Sequence, residues 1–239
     1  VGPREGFQSF HSAVPTQRKL DLIHSIAASG VREIEVTSFV RPDKVPQMAD
    51  ADQLVAALRP HPSVSYSALY LNPVGFKRAE ATGKLHNQAW LYTSPSESFL
   101  KANSNTTLTD SLSALGDWCN LFRGQSKRVH GLVISTAFGC AYEGKITSGA
   151  VVDVVRRYID RLAKEGESLQ ELCLADTVGM GHPDSVRECI EALRALGIAI
   201  SLHLHDTRGL GLLNAYVGLQ LGVSVFESSV GGIGGCPFT

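Results

Sequence analysis

No run of 18 apolar residues occurs in the 239-residue sequence, so no helix long and apolar enough to cross a bilayer is expected. Excess charge of one sign is missing as well. Lys and Arg number 22 against 23 Asp and Glu, for a formal net charge of −1. Such a chain exerts no long-range pull on nucleic acid or on an anionic membrane, and neither is expected as a partner. Paired cysteines are lacking: Cys119, Cys140, Cys173, Cys189 and Cys236 are odd in number and form no CxxC. That pattern argues against a disulfide framework and for free thiols in a reducing compartment, the cytoplasm or, alternatively, the mitochondrial matrix. Aromatics are scarce at 7%. The sequence opens on Val1-Gly2-Pro3, with neither an initiating Met nor a signal or transit pattern.

What is present is a regular alternation of short apolar runs and longer amphipathic ones, with 44% hydrophobic residues to fill a core. Val31 to Phe39 alternates at period two and reads as a strand. Further strands are expected at Val64–Tyr70, Gln88–Thr93, Val129–Ala137, Glu171–Ala175, Ile198–His205 and Val223–Ser228. The opening Val1–Arg4 reads as the tail of an eighth. Helices are expected at Thr16–Ser29, Ala49–Leu58, Val74–Ala81, Leu108–Phe122, Gly149–Glu165, Pro183–Leu196 and Leu212–Leu221. Gly83, Gly124, Gly166, Gly197 and Gly222 are placed as helix-ending residues. Strict βα alternation implies parallel strands with helical crossovers. Eight units in about 250 residues is the size of a (β/α)8 TIM barrel. An open doubly wound sheet is the alternative that alternation leaves standing. The expectation is one catalytic barrel domain over residues 1–239. Its C-terminal part is expected to be missing, because the sequence stops at Thr239 without an eighth helix.

Barrels of this kind place their chemistry at the C-terminal strand ends. Those ends carry Arg4 and Glu5, then Glu35, Thr37 and Ser38, then Asp176 and Thr177, then His203, His205 and Asp206. Polar groups gathered at the ends of apolar strands are costly unless paired or bound to something. His203 and His205, two residues apart on a strand, point to one side and can reach one ion. A carboxylate from Glu5 would make a third ligand. Mixed nitrogen and oxygen ligation with open positions suits a catalytic divalent metal, Mg²⁺ or Mn²⁺ first and Zn²⁺ as the alternative. The plainer possibility is that the histidines only hydrogen-bond at a polar strand end.

Arg4 either stabilises an enolate oxygen or forms a structural salt bridge with Glu35 or Asp176, and the two roles are compatible. Cys236, in Gly231-Gly232-Ile233-Gly234-Gly235-Cys236-Pro237-Phe238, is either a proton donor on a closing glycine loop or a small loop residue. Cys140 follows the Val129–Ala137 strand at the same end. Cys119, Cys173 and Cys189 fall inside element patterns and read as buried filler. The glycine loop lacks the Lys-Ser/Thr of a phosphate loop and does not match GxGxxG, so no nucleotide fingerprint is assigned.

Taken together these segments resemble the hydroxymethylglutaryl-CoA lyase family of metal-dependent aldolase-barrel lyases and synthases. The likeness runs in order through Val1–Gln8, Glu35–Val40, Val45–Met48, Gly139–Lys145, Asp176–Gly179, His203–Thr207 and Ser228–Pro237. It implies the (β/α)8 fold and retro-Claisen/aldol cleavage of a 3-hydroxy-3-methylglutaryl thioester to acetyl-CoA and acetoacetate. It further implies metal ligation by Glu5, His203 and His205, with a further Asn ligand beyond Thr239. Arg4 would stabilise the enolate, Cys236 would deliver a proton, and Glu35 and Asp176 would support the site, with Asp176 or His203 as the base. Substrate-binding positions are expected at Gln8, Ser38, Thr177 and Arg208, the substrate being an acyl-CoA and the assembly a homodimer.

Three positions depart from the family pattern. Glu5 replaces Asp and is one methylene longer. Ala141 replaces Pro. Arg208 replaces an aromatic, adding a cation that could bind a substrate carboxylate or a CoA phosphate, or pair at the surface. Two other activities stand beside the lyase: a barrel aldolase or Claisen synthase acting on a keto acid, and an inactive barrel kept as a binding scaffold.

Overall fold

The computed structural model describes residues 1–234, so Cys236 lies outside the described residues. By contact the chain divides into two compact units, one from Val1 to Gln88 joined by the segment from Ser228, the other from Ala89 to Glu227.

The first unit opens differently from expectation. Pro3 has no N–H for a strand ladder but suits the first turn of a helix. The backbone closes into helix α1 (Gly2–Gln8), with the Arg4 and Glu5 amides donating to the Val1 carbonyl at 3.1 and 3.0 Å. The expected strand at Val1–Arg4 is not formed, and Arg4 and Glu5 stand on a helix. Helix α2 (Thr16–Ala28), strand β1 (Glu33–Ser38), a 3₁₀ turn at Pro46–Met48, helix α3 (Ala51–Ala57), strand β2 (Ser65–Leu69) and helix α4 (Pro73–Ala81) come next. β1 and β2 pair in parallel, with the register shifting between Glu35 and Thr37. Such an irregularity re-aims side chains. Here it leaves Val36, Thr37 and Ser38 all buried, which strict alternation would not allow. Ile23, Ile34, Val36, Leu54, Val55 and Tyr66 form the centre of the core. Each such side chain contributes on the order of 2 kcal/mol of transfer free energy.

The second unit is wound in one direction. Its strands are β3 (Ala89–Thr93), β4 (Val129–Ile134), β5 (Glu171–Ala175), β6 (Ala199–His203) and β7 (Val225–Glu227). They pair in parallel in the order β3-β4-β5-β6-β7. A doubly wound sheet would reverse its strand order at a switch point, and this sheet does not. β5 is buried along nearly all its length, as a parallel strand covered on both faces must be.

Helix α8 (Ser148–Lys164) shows why the crossovers are helical. Thr147 caps it, its Oγ1 accepting from the Ala150 amide at 3.2 Å. Val151, Val154, Val155, Tyr158 and Leu162 make the buried stripe, and Arg161 and Lys164 lie in the last turn where cations oppose the helix dipole.

Two expectations are corrected in this unit. The sequence reading left a helix out at α5 (Glu97–Ser104), which Ser96 caps by accepting from the Phe99 amide at 3.1 Å. The single helix expected at Leu108–Phe122 is two, α6 (Leu108–Ser113) and α7 (Leu115–Arg123), divided at Ala114, where ψ is −7°. Gly124 ends α7 as expected, at φ −61°, while the left-handed residue of that turn is Ser126 at φ 56°. Helix α9 (Pro183–Arg194) and helix α10 (Gly211–Gln220) complete the unit. Among the described residues no helix is long and apolar enough to cross a membrane.

Candidate active site

The expected residues fall into two groups, one in each unit. In the first, α1 packs on β1, and the Arg4 Nε donates to Glu35 Oε1, a pairing between largely buried side chains. The Arg4 Nη2 also stands 3.9 Å from Glu5 Oε2. Arg4 thus makes the structural salt bridge to Glu35 foreseen as one of its roles, and that pairing holds the guanidinium in place.

Glu5 is only 5% exposed, a burial that a carboxylate tolerates when paired or ligated. The glycine segment returns alongside it. A Cβ on Gly6 would lie 2.5 Å from Ile233, and one on Gly234 3.7 Å from Glu5. A side chain on Gly6 would crowd Ile233, and the segment through Ile233 and Gly234 runs past Glu5. Ser38 is fully buried with an Oγ that finds no partner among the described residues. Gln8 is half-buried at the last position of α1.

In the same unit Lys19, not singled out in the sequence, ties α2 to the Pro46–Met48 turn and to Asp50. Its Nζ is buried and donates to Asp50 Oδ1 at 2.6 Å and to the Gln47 carbonyl at 2.5 Å, and Gln47 Nε2 donates to the Phe10 carbonyl at 2.7 Å. The available signal was a lysine on the same helix face as Ile23 and Ile26.

In the second unit the sheet ends gather the other group. The β6 ladder stops at His203, short of the expected His205, yet the two imidazoles still converge, with Nε2 atoms 3.1 Å apart. His203 Nδ1 is engaged by Glu227 Oε2 at 2.5 Å. Glu227 is its register partner on β7, and the sequence reading did not single it out. Asp176, just past β5, is 1% exposed. Its Oδ1 accepts from the Gly181 amide at 2.9 Å, and its Oδ2 has no partner among the described residues. Burial pushes the Asp176 carboxyl above its usual range, against the opposing pull of the Gly181 amide and of His205 and His203. Gly181 leaves room for that carboxylate, since a Cβ there would stand 2.8 Å from Oδ2.

Other expected members have structural work. Thr177 Oγ1 accepts from the Thr136 amide at 2.8 Å. Asp206 Oδ1 accepts from the Gly211 amide at 2.7 Å at the start of α10. Arg208 is exposed, its Nη1 reaching the Met180 carbonyl at 3.4 Å. Cys140 is buried with its Sγ 3.1 Å from Ser96 Oγ, beside a Ser94–Thr136 hydroxyl pair at 2.6 Å. Cys119, Cys173 and Cys189 are buried as expected. Burial pushes the Cys119 and Cys189 thiols to about 11 and about 12, which keeps them inert.

The donor set suits a divalent metal. Two imidazole nitrogens 3.1 Å apart match adjacent corners of an octahedron, about 3.0 Å apart for metal–ligand distances near 2.1 Å. A carboxylate behind one of them is the usual support of a metal-binding histidine.

Comparison with known proteins places the whole chain. A family profile described as HMGL-like matches residues 1–236. The mitochondrial hydroxymethylglutaryl-CoA lyase of Gallus gallus is 38% identical over 240 residues, covering all of this chain and 78% of that protein. The cytoplasmic 3-hydroxy-3-methylglutaryl-CoA lyase of Mus musculus is also 38% identical, covering all of this chain and 67% of the relative. Among solved structures, an HMG-CoA lyase from Acenitobacter baumannii in complex with coenzyme A and 3-methylmalate aligns with TM-score 0.87 and 32% identity. That alignment covers 99% of this chain and 75% of the other. The HMG-CoA lyase from Brucella melitensis aligns with TM-score 0.86 and 36% identity, covering 99% and 81%. The fold class is the α/β (β/α)8 barrel expected from the sequence, of which this chain carries a part. The chain belongs to the HMGL-like family, that of the hydroxymethylglutaryl-CoA lyases.

Proposed function

We propose that the chain is a divalent-metal-dependent carbon–carbon lyase that cleaves 3-hydroxy-3-methylglutaryl-CoA, or a close analogue, to acetyl-CoA and acetoacetate. The observation that carries this reading is the convergence of His203 and His205 on one point, Nε2 to Nε2 at 3.1 Å, in a chain that matches lyases along its whole length.

His203, His205 and Glu5 would hold the metal, Mg²⁺ or Mn²⁺ in the first place and Zn²⁺ as the alternative. When bound, the metal would acidify the substrate 3-hydroxyl and draw charge from the developing carbonyl oxygen. Asp176 takes the 3-hydroxyl proton through its unpartnered Oδ2. The C2–C3 bond breaks, its electron pair passes to the thioester as an enolate, and C3 becomes the ketone of acetoacetate. Arg4, fixed by Glu35, offers its guanidinium to the enolate oxygen. Cys236 then protonates C2 to give acetyl-CoA. Gln8, Ser38, Thr177 and Arg208 contact the acyl-CoA. The 239 residues act as one catalytic domain of a homodimer, in the cytoplasm or alternatively the mitochondrial matrix. The named relatives include proteins of both compartments.

The test is to incubate the protein with the branched thioester and Mg²⁺ or Mn²⁺ and to measure acetoacetate, with a chelator control. A parallel assay monitors pyruvate release from hydroxy keto acids. Metal-dependent acetoacetate supports the lyase. Pyruvate in its place would move the activity to the aldolase class, and neither product would sink both.

A further inference from the structure

We infer that Glu227 is a positioning residue that fixes the tautomer and orientation of His203. This rests on the reading of His203 as a metal ligand. The two residues are register partners on neighbouring parallel strands, so their side chains leave the sheet on one side. Glu227 Oε2 lies 2.5 Å from His203 Nδ1, while the other ring nitrogen, Nε2, faces His205 Nε2 at 3.1 Å.

The tautomer is set by what each partner can donate or accept. An ionised carboxylate can only accept. A bond to Nδ1 therefore places the ring proton on that atom. In a neutral imidazole the lone pair then sits on Nε2, the atom turned toward His205. Were the proton on Nε2 instead, His203 would offer an N–H where a ligand needs a lone pair. The same bond stops rotation of the ring about its Cβ–Cγ axis, since a flipped ring would lose its carboxylate partner. His203 is the last residue of its strand, and the ladder does not restrain the backbone beyond it. A side-chain anchor from the adjacent strand supplies the missing restraint. Outer partners of this kind are worth about 10- to 100-fold in metal affinity.

The experiment compares the wild-type protein with Glu227→Leu and Glu227→Gln, after thermal melts have established that each variant is folded. Two readouts are taken. The His203 tautomer of the metal-free protein is read by long-range ¹H–¹⁵N NMR, assigned with His203→Gln. Mn²⁺ alone is titrated by water-proton relaxation. The expected result is an Nδ1–H tautomer in wild type, loss of that single tautomer in Glu227→Leu, and Mn²⁺ affinity lowered 10- to 100-fold. Glu227→Gln, whose amide oxygen still accepts, should retain most of both. An unchanged tautomer and unchanged Mn²⁺ affinity in Glu227→Leu would overturn the inference. If wild type takes up no Mn²⁺, the metal reading fails by itself. The tautomer then decides the role of Glu227, with Nδ1–H upholding it and Nε2–H overturning it.

Discussion

Two buried carboxylates in the second unit stand near opposite ends of the same parallel strands, and they are treated in opposite ways. Glu167, ahead of β5, is saturated. Its oxygens accept from Arg123 Nε at 3.1 Å, from Arg128 Nε at 2.8 Å and from the Val129 amide at 3.3 Å. Burial alone would raise its carboxyl, but the Arg128 and Arg123 bonds prevail and hold it below the usual range. Asp176, just after β5, has one oxygen on the Gly181 amide and the other without a partner among the described residues, and burial leaves its carboxyl raised. The N-terminal end of such strands is built for stability and the C-terminal end for chemistry. Satisfying every hydrogen bond marks the first, and an unspent acceptor marks the second.

The largest effect that would break this contrast is at Asp176 itself. Asp176→Asn is expected to lower kcat by about 10²- to 10⁴-fold, the usual range for a positioned acid–base group. KM should stay within a few-fold and the metal-free protein should melt no earlier than wild type. A variant with full activity would remove Asp176 from the chemistry.

Glu167→Ala should do the reverse. It removes the acceptor of the buried Val129 amide and one partner each from Arg123 and Arg128, and is expected to cost about 1–3 kcal/mol, or roughly 2–4 °C of melting temperature per kcal/mol for a chain of this size. Turnover per folded molecule should be unchanged, and a comparable fall in kcat would erase the distinction between the two ends.

A subtler probe is Gly181→Ala. The added methyl would enter the space of Asp176 Oδ2, and steady-state kinetics should show a loss of about tenfold in kcat through misplacement of the carboxylate. No loss would mean that the position of Asp176 is not critical.

The smallest effect is in pH dependence. A lowered folded-state pKa means that Glu167 stabilises the protein above the ordinary carboxylate range, and that this contribution is lost as pH falls through the folded value. Asp176, raised, works the other way in the metal-free protein. Its ionisation costs stability above its folded pKa, and the cost is relieved as pH falls. Acid unfolding of Glu167→Gln should therefore be shallower than that of wild type, and that of Asp176→Asn steeper. Parallel curves for all three proteins would contradict the opposite shifts.

Much of this was legible in the residues. The period-two run at Val31–Phe39, the strand pattern at Glu171–Ala175 and the His203/His205 spacing each announce their element or their chemistry through neighbours in the chain. Arg4 was expected to pair with Glu35 or Asp176, and the fold decides for Glu35. Glu227 escaped notice because its importance lies in the registration of β7 on β6, which no local pattern encodes. Lys19 escaped notice because a lysine in an amphipathic helix ordinarily lies in solvent, and only the Asp50 and Gln47 partners, some thirty residues on, turn it inward.

The sequence by itself determined the parallel α/β alternation, seven of the eight expected strands, the roster of polar residues at their ends and, through ordered motifs, the lyase family. Tertiary structure alone decided that Pro3 starts a helix and that the second sheet winds in one direction. It also decided that Asp176 keeps an unpaired oxygen while Glu167 keeps none. Periodicity is a property of neighbours along the chain. Hydrogen-bond satisfaction and burial are properties of neighbours in space, and only the folded chain brings those together.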